Sequence, residues 1–258
     1  MPFNIKNLKA HTHDAEVSAA LHISHKPWCI PNVSIRGGQL WSEHGRELYA
    51  FTDSVTSHVH AARILSACFT LMDMMHADNV YHLDCHPKNM ILCKTIREGA
   101  VVVDLDESGV WGLYVTDFET LYHPQANMGA FEAVTDAWNS SSTTGLGRMP
   151  FAWYRDNSAY SYDVYTFSTY IIKYVHNPRF VAFRSLLYYM CCLDSSQPLP
   201  FIETLNESTG TSRPYYTYLP SPRNDIKTAR EGAEIFKALS KSLDTIAGNN
   251  EYSGVNKE

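Results

Sequence analysis

The chain has 258 residues, of which 45% are hydrophobic, 12% aromatic and 19% charged, a composition that supports a sizeable core and excludes a disordered or fibrous polypeptide. Its 21 basic residues stand against 27 acidic ones, a formal charge of −6, which argues against the broad attraction to phosphate backbones used by nucleic-acid binders. The most apolar stretches are broken by Lys173, His176, Arg179 and Arg184, well short of the roughly 20 residues that cross a bilayer, so the expectation is a cytoplasmic protein with neither membrane nor nucleic acid as partner.

Residues 1–55 alternate short apolar runs (Phe3 and Ile5; Val33 and Ile35; Leu48, Tyr49 and Phe51) with turn residues such as Asn32 and Gly37-Gly38. They enclose one helical stretch near Asp14 to Ile23, and together predict a small β-rich lobe. From His58 to Ala77 the residues Ile64, Leu65, Cys68, Phe69, Met72 and Met75 recur at three- and four-residue steps, the stripe of an amphipathic helix. Three strands are then expected, at 89–95, 100–105 and 111–118, separated by Arg97-Glu98-Gly99 and by Asp106-Glu107-Ser108-Gly109. Residues 122–150, with the run Ser140-Ser141-Ser142-Thr143-Thr144, read as a long loop. Helices return afterwards: Val164, Phe167, Ile171 and Tyr174 share one face, and Phe180 to Cys191 is strongly apolar. Ile235, Phe236, Leu239, Leu243 and Ile246 mark a last helix for which Asn224 or Asp225 is the expected cap. The six cysteines, Cys29, Cys68, Cys85, Cys93, Cys191 and Cys192, form no CxxC pair and predict reduced thiols rather than a zinc site or disulfides.

The densest chemistry lies in Val80-Tyr81-His82-Leu83-Asp84-Cys85-His86-Pro87-Lys88-Asn89, between the long helix and the first of the three strands. Asp84, His86 and Asn89 sit in a loop pinned by Pro87, so their polar heads can converge. Thr116-Asp117-Phe118-Glu119 ends the third strand with an acid able to face that loop. A carboxylate and an amide oxygen together suit Mg²⁺, which takes few protein oxygens and fills its shell with substrate phosphates, while a second carboxylate can accept a hydroxyl proton.

His82 to Asn89 resembles the catalytic loop HRDLKPEN of the protein kinases, and Asp117-Phe118-Glu119 resembles their DFG metal motif. The flanks agree. The helix ending in Met74-Met75-His76 is similar to the family's helix E, Ser161-Tyr162-Asp163-Val164-Tyr165-Thr166-Phe167-Ser168 resembles the start of helix F, and Pro150 lies about where the APE proline belongs. The resemblance covers residues 58–176 best. It implies an α+β, protein kinase-like bilobal fold: a reduced β-rich N-lobe over residues 1–55, a mainly helical C-lobe over 56–248 and a polar tail over 249–258. It implies Asp84 as catalytic base, Asn89 and Asp117 as Mg²⁺ ligands, His86 at the position that touches the transferred phosphate, and Asp163 as the brace of the catalytic loop. His82 is expected to be a buried, hydrogen-bonded core residue.

The departures from the family pattern matter as much. No GxGxxG glycine-rich loop occurs, Phe3-Asn4-Ile5-Lys6 stands near the place of the VAIK strand, and Lys6 with Glu16 would form the ATP-binding pair. Leu83 replaces the arginine that pairs with a phosphorylated activation loop, Glu119 replaces the DFG glycine, and Phe151 replaces the APE glutamate. Asp84 and Asp117 are 33 residues apart, which requires an inserted strand, and Asp104, only 20 residues after Asp84, is the rival metal ligand. The resemblance thus implies a Mg-ATP-dependent serine/threonine protein kinase acting on a protein substrate. The alternatives are a partner-binding pseudokinase or a small-molecule kinase, since the loop is also similar to the aminoglycoside and choline phosphotransferase pattern HGDLHPGN. Reduced kinases of this kind are met in large DNA viruses.

Overall fold

The structure, a computed structural model, describes residues 3–7, 13–37, 39–104, 109–123, 159–191 and 227–253. Pro150, Phe151, the runs Ser140 to Thr144 and Gly145-Leu146-Gly147, and the candidate caps Asn224 and Asp225 lie outside the described residues. The described chain is a mixed α+β arrangement of two small antiparallel sheets and several helices.

In the first sheet β3 (Gln39–Glu43) is central, flanked by β1 (Phe3–Asn7) and β2 (Ser34–Arg36), with Lys6 of β1 and Ile35 of β2 both opposite Leu40. Helix α1 (His13–Ile23) connects β1 to this hairpin and buries Glu16, Ala19, Ala20 and Ile23. β3 has no alternating hydrophobic signature. Its Ser42 and Glu43 are buried, and Glu43 is accommodated by a hydrogen bond from Asn32 Nδ2 at 3.0 Å.

The second sheet has the order β4-β5-β7-β6, built from β4 (Arg46–Glu47), β5 (Met90–Cys93), β6 (Val101–Asp104) and β7 (Val110–Val115). The three strands expected from the sequence are therefore present, and β6 lies between β5 and β7 in the chain while pairing only with β7. Gly45 allows the start of β4 to lie against β5: a Cβ there would collide with Ile91 and stand 2.7 Å from the Leu92 carbonyl oxygen. Leu48, Tyr49 and Phe51 belong to a short helix, α2 (Leu48–Thr52), and not to a strand. Leu48, Phe51 and Thr52 are its buried residues, a spacing of three and four that suits one helical face.

Helix α3 (His58–Ala77) has the predicted bounds and is capped by Ser57, whose side chain accepts the His60 N–H at 3.0 Å. Against it lies α7 (Ala229–Ser253), running antiparallel, with Arg63 bonded to Asp244 at one end and Arg230 to Asp73 at the other. Phe69 of α3 stacks on Phe236 at 5.6 Å and meets Phe167 edge-on at 5.3 Å. Phe167 belongs to α4 (Ala159–Tyr174), which the short helices α5 (Pro178–Val181) and α6 (Arg184–Met190) follow. Gly232 permits the close approach of α7, since a Cβ there would stand 2.7 Å from the Phe69 ring. Helix α7 runs on to Ser253, into the segment read as a polar tail.

The cap of α7 is a capping box on Thr228. Glu231 N–H donates to Thr228 Oγ1 at 3.2 Å while Thr228 N–H donates to Glu231 Oε2 at 2.8 Å. Thr228→Ala is expected to lower stability by about 1 kcal/mol and the melting temperature by roughly 2–4 °C, checked by thermal denaturation.

Two further ties bring the first sheet and α1 onto the rest. Asp78, just past α3, accepts from Lys26 Nζ and from the indole N–H of buried Trp28, both at 2.7 Å. Residues 28–30 run parallel to β7, with Val115 N–H donating to Trp28 O and Ile30 N–H to Val115 O. Cys29, Cys68, Cys85, Cys93 and Cys191 are all buried and are not joined in disulfides among the described residues, while Cys192 lies outside them. Among the described residues no helix is long and apolar enough to cross a membrane.

Candidate functional site

The loop between α3 and β5 is held by one carboxylate. Asp163, in the first turns of α4 and 0% exposed, accepts the His82 N–H at 2.9 Å and the Leu83 N–H at 2.8 Å, and its Oδ2 lies 3.0 Å from His76 Nε2. Leu83 adopts φ 59°, a left-handed conformation rare for a branched residue and worth roughly 1–2 kcal/mol of strain. Its side chain is fully buried, so the strain is offset by packing and by the two bonds to Asp163.

The same loop is joined to the segment after β7. His82 is fully buried with its Nε2 2.8 Å from Thr116 O, an acceptor that requires the ring proton on Nε2. Thr120 Oγ1 donates to His82 O at 2.7 Å, and Tyr81 and Tyr122 exchange backbone hydrogen bonds. Thr116 N–H donates to Asn89 O at 3.0 Å. Loop and strand end thus form one unit, and His82 has the structural role expected of it.

Within this unit Asn89 Nδ2 donates to Asp84 O at 3.0 Å and to Asp84 Oδ2 at 3.2 Å. The Asn89 amide nitrogen is therefore committed inward, while its amide oxygen accepts no hydrogen bond among the described residues. Asp117 follows β7 in a left-handed conformation, φ 64°, ahead of a 3₁₀ turn, Phe118–Thr120, whose Phe118 is buried. Asn89 and Asp117 both line a cleft of about 490 Å³, whose other wall includes Leu40, Ser42 and His44 of the first sheet and its outgoing turn. An amide oxygen and a carboxylate on one polar cleft are the hard, sparse donor set that Mg²⁺ favours.

Asp84 sits behind Asn89 with its Oδ1 3.3 Å from His86 Nε2 and with only 16% of the side chain exposed. Among the described residues no other group meets Oδ1, so the His86 imidazole is the contact that acts on it. Burial pushes the Asp84 carboxyl up, but the nearby imidazoles of His86 and His82 and the amide of Asn89 outweigh it and hold the group below its ordinary value. His86 itself is closed in. Its ring stacks on Tyr170 at 4.9 Å, and its Nδ1 accepts the Lys88 N–H at 3.3 Å, which places the ring proton on Nε2, facing Asp84.

The six candidate residues are thus placed unequally. Asn89 and Asp117 come together on the cleft, with Asp84 and His86 directly behind them. The backbone of Lys6 pairs with Leu40, a residue of the cleft wall, while Glu16 is buried in α1. Asp104, the rival metal ligand, ends the edge strand β6 opposite Val110, is exposed and is not part of the cleft lining. Sequence reasoning passed over Lys88, which lines the cleft, and Tyr170, which covers His86. Tyr170 was findable, since it lies seven residues from Asp163 and therefore on the same face of α4. No protein-family model matches the sequence and no curated protein matches it, so the functional reading rests on this geometry and on the motifs that form it.

Proposed function

We propose that the chain is a Mg-ATP-dependent phosphotransferase of protein kinase-like bilobal architecture, with the hydroxyl of a protein Ser or Thr as acceptor. The observation that carries this reading is the convergence of Asn89 and Asp117 on one cleft while Asn89 is hydrogen-bonded to Asp84 behind it. Asn89 through its amide oxygen and Asp117 through its carboxylate would hold Mg²⁺, which when bound neutralises charge on the phosphate oxygens. Asp84, kept ionised by His86 and His82, orients the acceptor hydroxyl and takes its proton. Asp163 keeps the loop in the one conformation that presents these groups together.

The reading is tested by incubating the full chain with γ-labelled ATP and Mg²⁺, with itself and a generic basic protein as acceptors. Label transfer that chelation by EDTA abolishes, and a Mg-ATP-dependent rise in melting temperature, are the expected results. Absence of both overturns the reading and leaves a partner-binding pseudokinase.

A further inference from the structure

Resting on the proposed phosphotransfer, we infer that Lys88, and not His86, supplies the side-chain cation that contacts the transferred phosphoryl group. The resemblance to the kinase loop would assign that contact to His86, but both ring nitrogens of His86 are already directed elsewhere. Nδ1 accepts the Lys88 N–H, Nε2 faces Asp84 at 3.3 Å, and one ring face lies on Tyr170. Only 8% of the residue is exposed, and it is not part of the cleft lining.

Lys88 has the opposite disposition. It is exposed, and among the described residues that line the cleft it is the one bearing a permanent positive charge, opposed by Glu47 and Asp117. It directly precedes Asn89, and both residues line the cleft with Asp117. Its backbone is fixed on both sides: Tyr49 N–H donates to Pro87 O at 3.0 Å and Asn89 N–H donates to His86 O at 2.9 Å. The side chain also has a platform, with Nζ 5.2 Å from the centre of the Tyr49 ring. Tyr49 is itself wedged edge-on against Tyr170 at 5.7 Å. A lysine held beside a metal ligand is a compact charge suited to the equatorial oxygens of a phosphoryl group in flight.

In the step itself the bond between the γ-phosphorus and the oxygen bridging it to the β-phosphate breaks, with its electron pair leaving on ADP. The acceptor hydroxyl oxygen forms the new bond to phosphorus, and its proton passes to the Asp84 carboxylate. Lys88 keeps its proton throughout and lends charge only.

The test compares the native full chain with Lys88→Met and Lys88→Arg in labelled transfer, and measures ATP and ADP binding calorimetrically in Mg²⁺. Loss of a charge contact to the transferred group is expected to lower kcat about 100-fold in Lys88→Met. ATP affinity should fall up to about tenfold with ADP affinity unchanged, and Lys88→Arg should recover most of kcat. Lys88→Met that transfers label within about threefold of native, or that loses ATP and ADP affinity equally, overturns the assignment while leaving the phosphotransferase reading standing. A native chain that transfers no label removes that reading, and this inference with it.

Discussion

Asp163→Ala is expected to destabilise the protein by about 3 kcal/mol or more, because the change strips a fully buried site of its acceptor. The His82 and Leu83 N–H groups lose the oxygens that lie 2.9 and 2.8 Å away, and His76 loses a partner at 3.0 Å. No water can replace them without opening the core, since Asp163, His82 and Leu83 are each 0% exposed. The left-handed backbone at Leu83 then keeps only its side-chain packing and the neighbouring contacts of the loop, and the loop is expected to relax. Urea and thermal denaturation should show the melting temperature falling by roughly 6–12 °C. Asp163→Asn, which keeps one acceptor oxygen, should fall between the variant and the native chain. A native-like melting curve for Asp163→Ala would mean that the loop is held by its other contacts alone.

The second large effect concerns Asp84. Asp84→Asn is expected to reduce phosphotransfer by about 10²- to 10⁴-fold, the range associated with loss of a positioned proton acceptor, while Mg-ATP still raises the melting temperature. The amide is nearly isosteric but has one acceptor oxygen, so it can keep the Asn89 contact or the His86 contact and not both, and a melting temperature close to native separates the chemical loss from a structural one. The pH dependence follows from the position of His86. With its folded value held below the ordinary 3.8, Asp84 remains ionised to lower pH than a free carboxylate. Its contribution to stability has the same sign: present above the unfolded value, and lost as pH falls through the folded one. In His86→Gln the imidazole nearest to Asp84 is gone and the burial penalty remains, so the acid limb of the rate profile should move to higher pH. An unmoved acid limb would show that His86 does not tune Asp84.

Much of this site was legible in the chain itself, because its parts are short and local. The bounds of α3 follow from a stripe recurring over five turns, and the three strands before Asp117 are set off by turn residues that no helix tolerates well. The Thr228-x-x-Glu231 box was readable too, and was passed over for Asn224 and Asp225. What could not be read depends on partners distant in sequence. β3 was missed because its buried residues include Ser42 and Glu43, and the Glu43 carboxylate is met by Asn32 from outside the strand. The segment from Leu48 to Phe51 could have been strand or helix by its apolar content, and contact with the loop between α3 and β5, through Tyr49 N–H and Pro87 O, accompanies the helix. The direction of the His86 ring is fixed by Tyr170, on a helix more than 80 residues later. A motif assigns a residue to a loop position, whereas packing decides which way it points.

The buried cysteines carry a consequence for how openings of this fold can be followed in time. Burial pushes the thiols of Cys29 and Cys93 up to about 12, and raises those of Cys68 and Cys85 as well, so almost no thiolate exists at neutral pH in the closed protein. Alkylating reagents attack the thiolate, and they can reach it only after the surrounding structure has opened. Cys68 lies on α3 and Cys93 on β5, while Cys85 lies in the loop between them. The order in which these sulfurs are trapped by iodoacetamide therefore records which part of the molecule breathes first, with three reporters already built into the native chain.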